Sequence, residues 1–335
     1  MRATGLRARA LARTTARGAA AAAGLLAVAT RVTPWPSALA IRAIFDRGAA
    51  RANTSLARHV PSGLVEDVDE AYDISSPDGR LDVFRPERPG PLPTVVWVHG
   101  GAFVSGSKRD VANYLRVLAG RGFATVGVDY SIAPGSRYPT PVGQVAAALA
   151  YLVDHADRLG VDPTRIVLAG DSAGAQIAAQ VALLVTDEQY AHGVGVAVEL
   201  PPDALRGVVL FCGAYDFTLA RGSTRLGSWL VDTAIWSYLG SQRHDERVTL
   251  QGSIPPNLTP AFPPVFVSAG NGDPLLPHTL RLVESLAEHG VGHEALLFAD
   301  DRQPRLGHEF QFDLDTAAGR EALDRSVAFI QRVTS

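Results

Sequence analysis

Ile166-Val167-Leu168-Ala169-Gly170-Asp171-Ser172-Ala173-Gly174 is the stretch whose reading decides the fold. An apolar, mostly β-forming run leads straight into Gly-Asp-Ser-Ala-Gly. An alanine-rich segment, residues 175–185, follows and has the composition of a helix. Strand, sharp turn with a serine at its apex, then helix is the context that a G-x-S-x-G nucleophile turn requires. Gly170 and Gly174 flank Ser172 at the points where a Cβ would keep strand and helix apart. The pentapeptide alone is weak in a chain rich in glycine and alanine. Its place between a buried-type strand and a helix gives it weight.

Working outward, apolar β-runs recur at residues 94–98, 124–128, 207–212, 265–269 and 294–298. Helical patterns lie between and after them, at 110–119, 142–159, 277–289 and 316–333. Strands alternating with helices predict an α/β domain: a mostly parallel central sheet with helices on both faces. Ahead of these, residues 71–75 and 81–84 flank Pro77-Asp78-Gly79 and predict an antiparallel hairpin. The catalytic domain is therefore read as residues 68–335. One stretch breaks the rhythm, residues 216–262, with Trp229, Trp236, Tyr238 and several prolines. It is too long for an ordinary connection and is read as a cap or lid insertion.

The chain has 335 residues, 47% hydrophobic and 19% charged, with a formal net charge of −3. That balance is globular and gives no field for nucleic acid, so no nucleic-acid partner is expected. The basic residues are arginines except Lys108, which is read as compositional bias. Cys212 is the single cysteine, so no intrachain disulfide can form. It sits in an apolar run and is read as a small core residue.

Residues 1–33 differ from the rest. Arg2, Arg7, Arg9, Arg13 and Arg17 precede a soft apolar run, residues 18–30, with the small-x-small triplet Ala27-Val28-Ala29. This is the pattern of an export signal or membrane anchor, although the run is shorter than the roughly 18 residues of a spanning helix. The competing reading is an Arg/Ala-rich surface helix, and a cytoplasmic location is placed ahead of export or membrane attachment. Residues 34–67 are read as a helical extension, with Leu39, Ile41, Ile44, Phe45 and Leu56 on its apolar face. Such a segment would cover a binding site or touch lipid. Oligomeric state leaves no trace in the sequence.

A serine hydroxyl needs a base to take its proton, an acid to hold that base, and donors for the developing oxyanion. On strand–turn–helix folds of this type the chain order is serine, acid, base. Asp273 follows a strand and a glycine turn, in Gly270-Asn271-Gly272-Asp273-Pro274, and is the expected acid. Asp216, Asp300 and Asp301 are its rivals. His278, His289, His293 and His308 all lie downstream. His308, in the loop between the last strand and the last helix, is on the same sheet edge as Ser172 and is the expected base. His99-Gly100-Gly101-Ala102-Phe103 supplies the oxyanion loop, with Gly101, Ala102 and Ala173 N–H as donors and His99 and Gly100 in support. No nucleotide-binding glycine motif or metal-ligand spacing is present, so no cofactor and no metal are expected.

His99–Phe103, Asp129-Tyr130-Ser131-Ile132-Ala133-Pro134, Gly170–Gly174 and Gly272-Asp273-Pro274-Leu275 together resemble bacterial α/β-hydrolase esterases and lipases. The similarity is to the hormone-sensitive-lipase-like and acetyl-esterase/feruloyl-esterase-like groups, over about residues 68–335. The resemblance implies an α/β-hydrolase fold and hydrolysis of small-molecule carboxylic esters, with short acyl chains and no cofactor. It implies Ser172 as nucleophile, Asp273 as acid and His308 as base of a catalytic triad. Ala102, Ala175 and Gly135 depart from the family pattern. The alternatives are an amide hydrolase of the same fold, such as an arylformamidase or peptidase, and a non-catalytic ligand-binding relative.

Overall fold

A computed structural model describes residues 28–219, 225–240 and 245–335. One sheet of eight strands crosses it: β1 (Leu64–Ala71), β2 (Arg80–Pro86), β3 (Leu92–Val98), β4 (Ala124–Val128), β5 (Val161–Asp171), β6 (Leu205–Phe211), β7 (Val265–Ser268) and β8 (His293–Leu296). Their spatial order is β1-β2-β4-β3-β5-β6-β7-β8. β2 is antiparallel to both β1 and β4, and β3 to β8 all run parallel. This is the mostly parallel α/β sheet expected from the alternation of strands and helices, in the α/β-hydrolase architecture that the resemblance implied.

The central strands are apolar along their length because both faces are covered. Val96, Val98, Val126 and Leu168 face one layer, which includes α3 (Thr140–Asp154) and α5 (Ser172–Thr186). Val95, Trp97, Val167 and Ala169 face the other, formed by α2 (Lys108–Ala119) and α10 (Ala317–Val333). Each fully buried Val, Leu or Ile side chain contributes about 1.5–3 kcal/mol. Both layers are therefore needed to hold the sheet. Further α-helices among the described residues include α1 (Trp35–Leu56), α4 (Ala156–Leu159), α6 (Glu188–Val194), α7 (Arg225–Leu239), α8 (Glu246–Gly252) and α9 (Leu276–Glu288).

Two local expectations need correction. The first hairpin strand is Leu64–Ala71, not 71–75, so it begins ahead of position 68. Asp73 ends it: its Oδ1 accepts from Ser75 N at 2.9 Å and Ser75 Oγ at 2.6 Å, a local turn that competes with strand pairing. The helix expected over 142–159 is broken at His155, whose Nδ1 donates back to the Tyr151 carbonyl at 2.9 Å.

α1 packs against α2 and α7. Ala38 and Ile41 bury against Val104 and Ala133. Arg42 donates to the carbonyls of Val104 (2.7 Å) and Ala133 (3.2 Å). The helical extension is thus fastened to the loop that follows β3. α7, from the 216–262 insertion, approaches from the other side, and Trp229 Nε1 donates to Ser37 Oγ at 3.3 Å. The two helices roof the carboxyl edge of the sheet.

Lys108 has a role that composition alone does not suggest. It opens α2, and its Nζ bonds Asp69 and Asp82, each at 2.6 Å. Its backbone N–H donates to Asp129 at 2.6 Å. The side chain is buried and crosses from the helix to the β1–β2 edge.

The basic–apolar pattern of residues 1–27 lies outside the described residues. Among the described residues no helix is long and apolar enough to cross a membrane.

Candidate active site

β5 ends at Asp171 and α5 begins at Ser172, so the serine sits at the corner itself. Its φ of +52° is a left-handed conformation that side-chain-bearing residues rarely adopt. The corner closes because of its glycines. A Cβ on Gly174 would run into the carbonyl oxygens of Val98 and His99, and one on Gly170 into the backbone of Gly174.

His308 comes from the loop after β8. Ser172 Oγ donates to its Nε2 at 2.9 Å, and its Nδ1 donates to both oxygens of Asp273 at 3.0 Å. Asp273 is buried and also accepts from Leu275 N at 2.7 Å. Ser172, Asp273 and His308, expected together from their order, form one relay. The rivals are elsewhere engaged. Asp216 accepts from Thr218 N and Oγ1, and Asp300 and Asp301 are exposed. His289 and His293 are tied to backbone carbonyls.

Asn271 holds the two loops of this relay in register, a part that no sequence motif signalled. Its Oδ1 accepts from Leu306 N at 2.9 Å, and its amide donates to the Ala299 and Arg302 carbonyls, each at 3.0 Å. Gly272 N donates to the Leu306 carbonyl at 2.8 Å. A Cβ on Gly270 would collide with that same carbonyl, so only glycine lets the loops approach.

The loop after β3 is also strained. Gly101, Ala102 and Phe103 have φ of +116°, +52° and +62°. Val104 N and Ser105 N both donate to the Gly101 carbonyl. No hydrogen bond among the described residues uses the N–H of Gly101 or Ala102, and both residues line the cavity beside Ala173. His99 stands behind the loop, stacked on Tyr130 with ring centroids 4.3 Å apart. Its Nδ1 donates to the Gly100 carbonyl at 2.8 Å. Burial lowers its pKa to about 4, so it stays neutral and braces the loop.

Three neighbours shape the electrostatics. Burial opposes a charge on His308. The Asp273 hydrogen bond and the Glu309 carboxylate act the other way, and its pKa is raised above the usual imidazole range. Glu309 Oε1 lies 3.8 Å from His308 Nε2. Asp171, buried under the corner, is pushed well up by burial and by Glu309, against the hydrogen bond from Trp97 Nε1 at 2.8 Å. Cys212 is buried as expected, and burial pushes its thiol up to about 11. It is more than a core residue, however. Its sulfur, the Asp273 carboxylate and a His308 nitrogen lie within 4.8 Å of one another. These donors could meet at an ion, but Asp273 and His308 already bond each other.

All of this opens onto a cavity of about 690 Å³, within the size range of small-molecule sites. α7 gives it an aliphatic wall that includes Leu226, Leu230, Val231 and Ala234, and α1 adds Ile44 and Phe45.

The chain matches the model of the alpha/beta hydrolase fold family over residues 95–304. It belongs to that family and is an esterase-type α/β-hydrolase. Esterase B from Lactobacillus rhamnosis is similar at 21% identity, with a TM-score of 0.76 over 89% of this chain and 96% of that one. A hyperthermophilic esterase from the archaeon Pyrobaculum calidifontis is 25% identical, with a TM-score of 0.73 and coverage of 88% and 91%. A thermostable carboxylesterase cloned from a metagenomic library is 27% identical, with a TM-score of 0.69 and coverage of 90% and 98%.

Proposed function

We propose that this enzyme cleaves short-chain carboxylic esters through an acyl-serine intermediate, with Ser172 as nucleophile, His308 as base and Asp273 as the acid that orients it. The observation that carries this reading is the continuous relay from Ser172 Oγ through His308 to Asp273, opening into a mostly apolar cavity. His308 takes the serine proton as Oγ attacks the ester carbonyl. The N–H groups of Gly101, Ala102 and Ala173 receive the oxyanion. His308 then protonates the departing alcohol. In the second half it takes a proton from water, which attacks the acyl-serine and releases the acid. Asp273 keeps the imidazole in the tautomer that presents a bare Nε2 to Ser172. The esterases and carboxylesterase among its structural neighbours favour esters over amides.

Ser172→Ala is expected to reduce p-nitrophenyl butyrate turnover by about 10⁴-fold or more, with the circular dichroism spectrum unchanged. Turnover retained by a folded Ser172→Ala protein would remove the proposal.

A further inference from the structure

Apart from the relay, the cavity wall holds a second buried imidazole whose role the mechanism leaves open. His278 stands in the first turn of α9 and is only 4% exposed. What remains exposed lines the catalytic cavity. Its Nδ1 accepts the backbone N–H of Asp216 at 3.2 Å. A ring nitrogen that accepts carries no proton, so in the neutral ring the proton sits on Nε2. Burial lowers the pKa of this ring, with the Asp216 and Asp273 charges opposing, and it stays in its neutral form. Nε2–H makes no hydrogen bond to a described residue and is not sealed inside the protein.

The surroundings make that donor conspicuous. Pro274, Leu275 and the α7 side chains in the lining are apolar. An N–H set among such groups is costly unless something accepts from it. The backbone bond from Asp216 also fixes the ring plane, so the donor is preorganised. His278 is no second base, because its one free lone pair is already committed to Asp216 N–H.

We infer that His278 is a specificity-determining donor: the cavity takes esters whose chain carries a second oxygen, an ether or carbonyl, that accepts from His278 Nε2–H. This deepens the ester-hydrolase reading and rests on it. A wholly hydrocarbon chain leaves the N–H unpartnered in the complex. A chain with an oxygen at the right depth satisfies it.

The test uses ester pairs of equal length that differ by one CH₂ replaced by O. In the acyl arm these are p-nitrophenyl esters of terminally methoxylated propanoate against pentanoate, and of methoxylated butanoate against hexanoate. In the alcohol arm they are methoxyethyl against butyl butanoate, and methoxypropyl against pentyl butanoate. Each ratio of kcat/KM is divided by the ratio of hydroxide-catalysed rates, which removes intrinsic reactivity. The wild-type enzyme is expected to favour the oxygen-bearing ester by about 5- to 10-fold in at least one pair. The arm in which this occurs assigns the oxygen to the acyl or the alcohol side. His278→Leu is expected to bring that ratio to about one, and His278→Gln, which keeps an N–H donor, to restore part of it. Reading the ratio within each protein cancels any general loss of activity. If wild type shows no preference in any pair, or His278→Leu keeps the preference, the inference is overturned. The wild-type comparison stands even should the variants misfold. Failure of wild type to hydrolyse any of the esters would strike the ester-hydrolase reading instead.

Discussion

At the scale of single residues, His308 is the group on which the proposed chemistry turns. It bonds Ser172 on one side and Asp273 on the other, with Glu309 beside its Nε2. The base must be unprotonated to act. Neighbouring carboxylates favour its charged form, so the proton is held to higher pH than in a free imidazole. The acid limb of kcat/KM for p-nitrophenyl acetate is therefore expected to inflect above about 6.5. Glu309→Gln removes one of those charges and is expected to move the inflection to lower pH, a shift that a pH profile measures directly. That Ser172, Asp273 and His308 would meet at one sheet edge was legible in the sequence, because their turn chemistry and order are. Glu309, Cys212, Asn271 and His278 were not. Their roles come from proximity in space, and none carries a spacing that separates it from an ordinary loop or core residue.

At the scale of elements, strain gathers at the site. Of the six non-glycine residues with positive φ among the described residues, Ala102, Phe103, Ser172, Cys212 and Glu309 belong to the site. Such conformations persist where surrounding contacts over-determine them. In the loop after β3 those contacts include Arg42 on the Val104 carbonyl and Tyr130 OH on the His99 carbonyl at 2.9 Å. Ala102 carries a Cβ and still adopts a left-handed conformation of the kind that favours glycine. Ala102→Gly is expected to stabilise the folded protein by about 1 kcal/mol, the left-handed cost net of added chain entropy. Urea unfolding monitored by fluorescence gives that difference, and destabilisation would contradict it. The elements themselves were mostly legible, because strand and helix periods are written in the apolar pattern. The hairpin was displaced because the turn at Asp73 competes locally with the strand.

At the scale of the whole molecule, the cavity is assembled from distant parts. α1 and α7 are far apart in sequence yet meet over the same sheet edge. The sequence offered two helical or lid-like segments but no sign that they touch, since amphipathic faces do not name their partners. Lys108 does a similar joining task at the other edge of the sheet. It links α2 to β2 and β1 through Asp82, which is buried, and Asp69. Lys108→Met would leave the Asp82 carboxylate buried without its cation. The expected cost is about 3–5 kcal/mol of unfolding free energy, read from urea denaturation. A change under about 1 kcal/mol would show that the link is dispensable.

The acyl-serine claim is tested most directly by treating the enzyme with diethyl p-nitrophenyl phosphate and following intact mass alongside residual esterase activity. The relay calls for a single diethylphosphoryl adduct that maps to Ser172 and accumulates in step with the loss of activity. An enzyme that keeps its activity with Ser172 fully modified, or that is inactivated with Ser172 free, would contradict it.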